Sequence, residues 1–97
     1  MEKQIYEVKN PVYLTNGEIR EKYWDRQVLL TNVRMKSDFS EMDGGIVRYY
    51  ASNSMDELYQ KLRELRKTEG DDVIGSCGIE YIGPIYLNFY AAGGGDN

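Results

Sequence analysis

The feature that most constrains the fold of this chain is the segment 54–70, which reads SMDELYQKLRELRKTEG. Ser54 followed by Glu57 forms a capping box, a pattern typical of a helix start, so the helix is predicted to begin near Met55. At 100° per residue its apolar side chains fall on one face. That face consists of Met55, Leu58, Leu62 and Leu65, with Tyr59 at its rim. Gly70 can take the left-handed conformation that ends a helix, so we predict one amphipathic helix with one buried face.

The segments on either side of this helix have the pattern of β-strands. Residues 26–35 carry apolar side chains at both odd and even positions, which is typical of a central strand covered on both faces. Residues 46–51, IVRYYA, indicate a second strand, and Asp43-Gly44-Gly45 before it indicates a turn. After the helix, residues 79–82 and 85–90 are strand-like. Gly83-Pro84 between them is either a hairpin turn, which we favour, or a bulge in one edge strand.

The predicted order is therefore strand, strand, helix, strand, with a possible fourth strand. A right-handed connection through the helix to a parallel strand places the first strand between the other two. The expected fold class is α+β, with a small, mostly antiparallel sheet of three to four strands and one main helix on one face (ββαβ, or ββαββ with the fourth strand).

A chain of 97 residues is expected to form a single domain. Residues 1–25 are predicted to be an N-terminal arm, 26–90 the ββαβ core, and 91–97 a flexible glycine-rich tail. In the arm, an extended run over residues 4–8 is followed by a second capping box, Thr15 with Glu18, which predicts a short helix over residues 16–24. We expect Ile19, Tyr23 and Trp24 to lie over one end of the core.

Charge and composition argue against several classes of protein. Twelve basic and sixteen acidic residues give a net charge of −4, and residues 70–97 contain four acids and no base. Phosphate contacts need Lys or Arg, so nucleic acid is not expected as a partner. One cysteine excludes an internal disulfide, and no run approaches the length of a membrane span. The start lacks the apolar region of a secretion signal, so we expect a cytoplasmic, bacterial-type protein with no membrane partner.

The runs YWDRQVLLTN, GGIVRYYASNSMDELYQKLRELRK and SCGIEYIG together resemble small bacterial domains of unknown function. The resemblance spans about residues 23–90 and depends on Trp24, Gly45 and the helix start at Ser54. It implies the strand-strand-helix-strand order. It implies no catalytic residue, and the tyrosine-rich segment after residue 84 does not match the pattern.

No pattern in the sequence predicts a catalytic or metal site. Cys77 lies between Gly75-Ser76 and Gly78, as nucleophiles on tight turns do, but the chain contains no histidine to serve as its base. A small buried thiol on a glycine-hinged turn is the preferred interpretation, and a small-ligand or thiol-dependent function centred on Cys77 is the alternative. The acids of the 38–43 loop lack the calcium-loop pattern. We therefore expect no enzyme activity, no cofactor and no metal.

The candidate interaction surface is tyrosine-rich, since nine tyrosines exceed the usual number for this length. Tyr86 and Tyr90 alternate with Ile85, Leu87 and Phe89, which we expect under the main helix, so the tyrosines would lie on the other sheet face. The candidate residues are Tyr49, Tyr50, Tyr81, Tyr86 and Tyr90. Tyrosine is frequent at protein interfaces, although a half-exposed sheet face also favours it.

These patterns favour a non-enzymatic protein–protein interaction module that binds another protein or associates with itself. Either a protein partner or a second copy in a homodimer would cover the free sheet face; the N-terminal arm could cover it instead. A minor alternative is a ubiquitin-like modifier, because Gly93-Gly94-Gly95 lies near the end of the chain. Residues 96–97 would then have to be removed, and glycine-rich tails are usually just flexible.

Overall fold

A computed structural model of the protein describes residues 5–37 and 41–83. This part of the chain forms an α+β fold in which a five-stranded sheet carries helices on both faces. In chain order the elements are β1 (Ile5–Glu7), β2 (Tyr13–Thr15), α1 (Asn16–Lys22), β3 (Arg26–Met35), β4 (Met42–Ala51), α2 (Met55–Thr68), α3 (Asp71–Ile74) and β5 (Gly78–Ile82).

The sheet has the order β1-β4-β3-β5. The short strand β2 also pairs with β4, closer to the start of β4 than β1 does. All of these pairings are antiparallel. The predicted α+β class and the central position of β3 are confirmed. The strand count exceeds the predicted three to four because the N-terminal arm adds the two short strands β1 and β2 to the edge of β4. The predicted fourth strand, residues 85–90, and the Gly83-Pro84 turn extend beyond the described residues.

Alternation along β3 divides the apolar side chains between two clusters, one on each face of the sheet. Leu29 packs with helix α2 and α3, whereas Val28 and Leu30 pack with α1 on the opposite face. The α2-face cluster contains Leu29, Ala51, Leu58, Leu62, Leu65 and Ile74. The α1-face cluster contains Ile19, Tyr23, Val28, Leu30, Val47 and Ile82. The arm therefore covers part of the face that α2 leaves free.

A β-bulge in β4 interrupts the regular alternation of side chains. Leu29 pairs with Tyr49, but the next residue, Leu30, pairs with Val47, so Arg48 is an extra residue on the β4 side. Such a bulge lets two consecutive side chains project toward the same face. Arg48 therefore reaches the end of α2 beside Tyr49.

Helix α2 matches the predicted range and buries Leu58, Leu62 and Leu65. The predicted capping box at its start is wrong, because the Ser54 side chain makes no capping hydrogen bond. Instead the Ser54 backbone N–H donates to Oε1 of Gln27 on β3, at 3.0 Å. Met55 is 38% exposed and does not belong to the buried face. Gly70 has φ of +92°, as expected for the glycine that ends the helix.

Helix α1 has the predicted capping box: the Glu18 N–H donates to Thr15 Oγ1, and the Thr15 N–H donates to Glu18 Oε1. Ile19 and Tyr23 are buried as expected. The helix ends at Lys22 rather than residue 24, because the chain turns at Asp25, where φ is +62°. Trp24 is consequently 47% exposed and does not lie over the core as expected.

The predicted turn at Asp43-Gly44-Gly45 is wrong, since β4 begins at Met42 and includes both glycines. Gly44 pairs with Thr15 and Arg34, and a Cβ atom at Gly44 would collide with the Leu14 carbonyl oxygen and the Tyr13 ring. Gly44 therefore allows β2 to lie close to β4. A second difference is the short helix α3, where the sequence indicated only the entry to a turn.

Candidate interaction surface

The exposed aromatic residues of one corner of the molecule are held in fixed positions by their neighbours. We call this surface the aromatic corner; it comprises Arg20, Trp24, Asp25, Tyr81 and Gly83. Helix α1 supplies Arg20, the α1–β3 turn supplies Trp24 and Asp25, and the end of β5 supplies Tyr81, with Gly83 just beyond it.

Three contacts join these elements. The Arg20 guanidinium lies over the Trp24 ring at 5.2 Å from its centroid, and Arg20 Nη2 donates to the Gly83 carbonyl at 3.2 Å. The Tyr81 hydroxyl donates to Asp25 Oδ1 at 2.6 Å, and the Asp25 N–H donates to the Ile82 carbonyl. Trp24 and Tyr81 remain 47% and 45% exposed. The corner thus presents a large aromatic area with little rotational freedom left to lose on binding.

The candidate tyrosines predicted from the sequence do not form one surface in the described part of the chain. Tyr49 packs on the α2 face, with Lys61 Nζ 5.6 Å from its ring centroid. Tyr50 lies on the opposite face, stacked on Tyr6 with ring centroids 5.1 Å apart. Tyr81 belongs to the aromatic corner. Tyr86 and Tyr90 lie outside the described residues.

Tyr50 also contacts Tyr23, with ring centroids 5.2 Å apart. Burial raises the pKa of the Tyr23 hydroxyl, and the neighbouring Tyr50 raises it further. The raised pKa keeps the Tyr23 hydroxyl protonated, so this side chain packs within the α1-face cluster as a neutral group.

A groove of about 540 Å³ lies on the α1 face, beside β5. Arg20 and Asn16 of α1 form one wall, and Ser76, Cys77 and Gly78 form another. The remaining lining is mostly apolar: Leu30, Val33, Met35, Met42 and Ile82, with Glu41, Glu80 and Tyr81. Its volume lies within the range of small-molecule sites.

Within residues 5–37 and 41–83 there is no group of three or more Cys, Asp and Glu side chains arranged to hold a metal. Cys77 lines the groove but also packs against the α2-face cluster, and the chain has no histidine to activate its thiol. Because its lining is mostly apolar, the groove can hold an apolar group. Among its described residues no histidine lies beside Cys77 to serve as a base.

A second, smaller cavity of about 280 Å³ lies between the β1–β2 connection and the end of α2. Arg48 and Glu69 line it and form a two-pronged ion pair: Nη1 donates to Oε1 at 3.1 Å, and Nη2 donates to Oε2. Their side chains are 18% and 31% exposed. The hydrogen bonds from Arg48 lower the pKa of Glu69, against a smaller opposing effect of burial. The pair ties the bulge in β4 to the end of α2.

We expect Glu69→Gln to lower the free energy of unfolding at pH 7 by about 1–2 kcal/mol, because a charged, bidentate hydrogen bond is lost. A carboxylate whose pKa is depressed by folding stabilises the protein above its unfolded pKa and loses that contribution as pH falls through its folded pKa. The difference between the two proteins should therefore shrink below about pH 4 in urea unfolding experiments.

Glu64→Gln is the matched control for this experiment. Glu64 pairs with Lys61 at 3.5 Å on the same helix, but its side chain is 64% exposed. Its replacement should change stability by less than about 0.5 kcal/mol at either pH. Equal effects of the two substitutions would contradict a stabilising role for the Arg48–Glu69 pair.

Comparison of the chain with protein-family models, curated proteins and solved structures finds no match. No helix within the described residues is both long enough and apolar enough to cross a membrane.

Sequence reasoning did not place Trp24 and Asp25 in a candidate site. The sequence did contain a signal for this position. The chain's one tryptophan directly follows a short capped helix, and the next residue is an aspartate, a residue type that tolerates positive φ. That pattern indicates a turn, which moves the tryptophan off the helix face and into solvent.

Proposed function

We propose that this protein is a non-enzymatic protein–protein interaction module whose contact surface is the aromatic corner. The observation that carries the proposal is that Trp24 and Tyr81 stay about half exposed although Arg20, Asp25 and Gly83 hold them in place. Interfaces are enriched in Trp, Tyr and Arg, and residues of these types contribute most of the binding energy. The partner is either another protein or a second copy of this chain.

Trp24 provides a direct test, because it is the chain's one tryptophan and reports on the corner by fluorescence. In the isolated protein at low concentration its emission should be that of a solvated indole. Binding of a partner, including a second copy at high concentration, should shift the emission to shorter wavelength. Solution mass measured in parallel distinguishes self-association from a separate partner.

Trp24→Ala should strongly weaken this binding, whereas Tyr59→Ala should leave it intact. Tyr59 is the matched control, being 45% exposed on α2 outside the corner. In affinity capture from lysate, proteins retained by wild type and by Tyr59→Ala should be lost with Trp24→Ala. For an interface centre we expect a loss of about 2 kcal/mol or more, roughly thirtyfold in affinity. Identical capture and identical solution mass for all three proteins would overturn the proposal.

A second candidate function is binding of a small ligand beside Cys77. It is favoured by one observation, that Cys77 lines the 540 Å³ groove together with apolar side chains. Under this alternative, Cys77→Ala would abolish ligand binding with the fold preserved. Under the interaction-module proposal, Cys77→Ala leaves partner binding unchanged.

A further inference from the structure

The pairing of the N-terminal arm with β4 is interrupted by a loop that leaves the edge of the sheet. Strand β1 ends at Glu7, opposite Tyr49, and β2 begins opposite Ile46. The five residues 8–12 therefore lie opposite only two residues of β4 and must loop away from it. Asn10 in this loop has φ of +56°. The cavity of about 280 Å³ lies between this loop and the end of α2.

Arg48 lines this cavity with part of its guanidinium group uncommitted. A guanidinium has five N–H donors. Two of them are used by Glu69, since Nη1 donates to Oε1 and Nη2 to Oε2. The other three have no acceptor in the part of the chain that the structure describes, although the Arg48 side chain is only 18% exposed. Nε–H and an outer Nη–H form a second fork, which matches the two oxygens of a carboxylate.

Two further charged side chains of opposite sign line the cavity. Lys9 lies in the loop and Glu7 at the end of β1, and both are exposed. Neither forms an ion pair within residues 5–37 and 41–83. Glu7 pairs directly with Tyr49, so both side chains project to the face that α2 covers. The cavity therefore offers partners for an anionic group and for a cationic group.

The cavity also has an apolar part. Leu65 belongs to the α2-face cluster, Tyr49 packs against that cluster, and both line the cavity together with Pro11. The volume of about 280 Å³ is close to the lower end of the range for ligand pockets. These dimensions suit a single small molecule that carries both charges and a short apolar chain.

We propose that this cavity binds a free α-amino acid with an apolar side chain. The ligand carboxylate accepts hydrogen bonds from the second fork of Arg48 and pairs with Lys9. The ligand ammonium group pairs with Glu7, and its side chain contacts Tyr49 and Leu65. A zwitterion satisfies both signs of charge, whereas a simple anion would lie against the Glu7 carboxylate.

This inference goes beyond the proposed function of the aromatic corner and does not depend on it. The corner includes the end of β5, at one edge of the sheet, whereas the cavity lies beside β1 and β2 at the other edge. A variant that removes one site should therefore leave the other intact.

NMR titration of the isotope-labelled full-length chain with L-leucine tests the proposal. We expect a dissociation constant of about 1 mM or below, which is reasonable for a ligand of this size. The Arg48 Nε–H signal should shift on binding, as should the backbone amides of Lys9 and Asn10. Two matched probes remove one charge each: 4-methylpentanoate lacks the ammonium group and 3-methylbutylamine lacks the carboxylate. Each should bind roughly tenfold or more weakly than L-leucine.

Variants separate the two charge contacts. Arg48→Lys keeps the positive charge but removes the fork, so it should weaken L-leucine binding roughly tenfold or more. Arg63→Lys is the matched control and should leave it unchanged, because Arg63 is exposed on α2 and does not line the cavity. Glu7→Gln should weaken L-leucine binding and leave the weak binding of 4-methylpentanoate unchanged.

Three results would each overturn the proposal. The first is the absence of any L-leucine binding at about 10 mM, well above the expected dissociation constant. The second is equal affinity for L-leucine and 4-methylpentanoate, which would show that the ammonium group is not recognised. The third is an Arg48 Nε–H signal that stays unmoved at saturating L-leucine. This last measurement uses the wild-type chain, so it holds even where Arg48→Lys loses its helix signal.

Discussion

Leu58→Ala should lower the free energy of unfolding by about 3–4 kcal/mol, because it removes a fully buried side chain and leaves a cavity. Leu58 is 0% exposed and lies in the α2-face cluster between the helix and the central strand. For a domain of this size such a loss is a large part of the total stability. Urea unfolding followed by the helix signal measures it.

Met55→Ala is the control on the same helix. Met55 is one turn earlier and exposed, so its replacement should cost less than about 1 kcal/mol. Similar losses for the two variants would mean that α2 does not pack through the face containing Leu58. A loss below about 0.5 kcal/mol for Leu58→Ala would contradict the packing of α2 on the sheet altogether.

The elements that sequence reasoning predicted well are those whose pattern reflects burial over many residues. Helix α2 shows a period of 3.6 over four turns, and β3 carries apolar side chains at both parities because both of its faces are covered. The central position of β3 followed from chain connectivity, since β4 and β5 lie on its two sides.

Local motifs were less reliable where a residue from another strand could provide the same hydrogen bond. The Thr15 capping box forms because its partners are neighbours in an exposed turn. At Ser54 the backbone N–H is instead satisfied by Gln27, which β3 places beside the helix start. Nothing in residues 54–57 encodes the position of Gln27, so local sequence could not have predicted it.

The aromatic corner was only partly predictable for a similar reason. Tyr81 was a candidate from its strand pattern, but its neighbours come from the α1–β3 turn, more than fifty residues earlier in the chain. Tyr49 and Tyr50 are consecutive in β4 and therefore face opposite sides of the sheet, where Tyr49 joins the α2-face cluster and Tyr50 the α1-face cluster. The alternation of side chains along a strand predicts that Tyr49 and Tyr50 lie on opposite faces of the sheet. It does not predict which face each of them occupies.

Helix α1 changes the argument for self-association. The sequence suggested that one sheet face needed a cover, from the arm or from a second copy. In the structure Ile19 and Tyr23 of the arm pack on Val28, Leu30 and Val47, so part of that cover is internal. We therefore propose the aromatic corner, rather than the sheet face, as the contact surface for a second copy.

The second large effect is expected at Gly44, where the sequence indicated a turn and the structure has a strand. A Cβ atom at this position would collide with the Leu14 carbonyl and the Tyr13 ring. Gly44→Ala should therefore push β2 away from β4 and withdraw Leu14 from its contacts with the α1-face cluster. We expect a loss of about 1–3 kcal/mol in the free energy of unfolding, as for other overpacked sites.

Gly17→Ala is the matched control, since a Cβ atom there meets nothing within 4 Å and Gly17 lies in helix α1. This substitution should stabilise the protein by up to about 1 kcal/mol, because alanine favours the helix over glycine. Hydrogen exchange of the amides of β2 should accelerate in Gly44→Ala and not in Gly17→Ala. If Gly44→Ala keeps wild-type stability and wild-type exchange in β2, then the close packing of β2 on β4 is not what requires a glycine at this position.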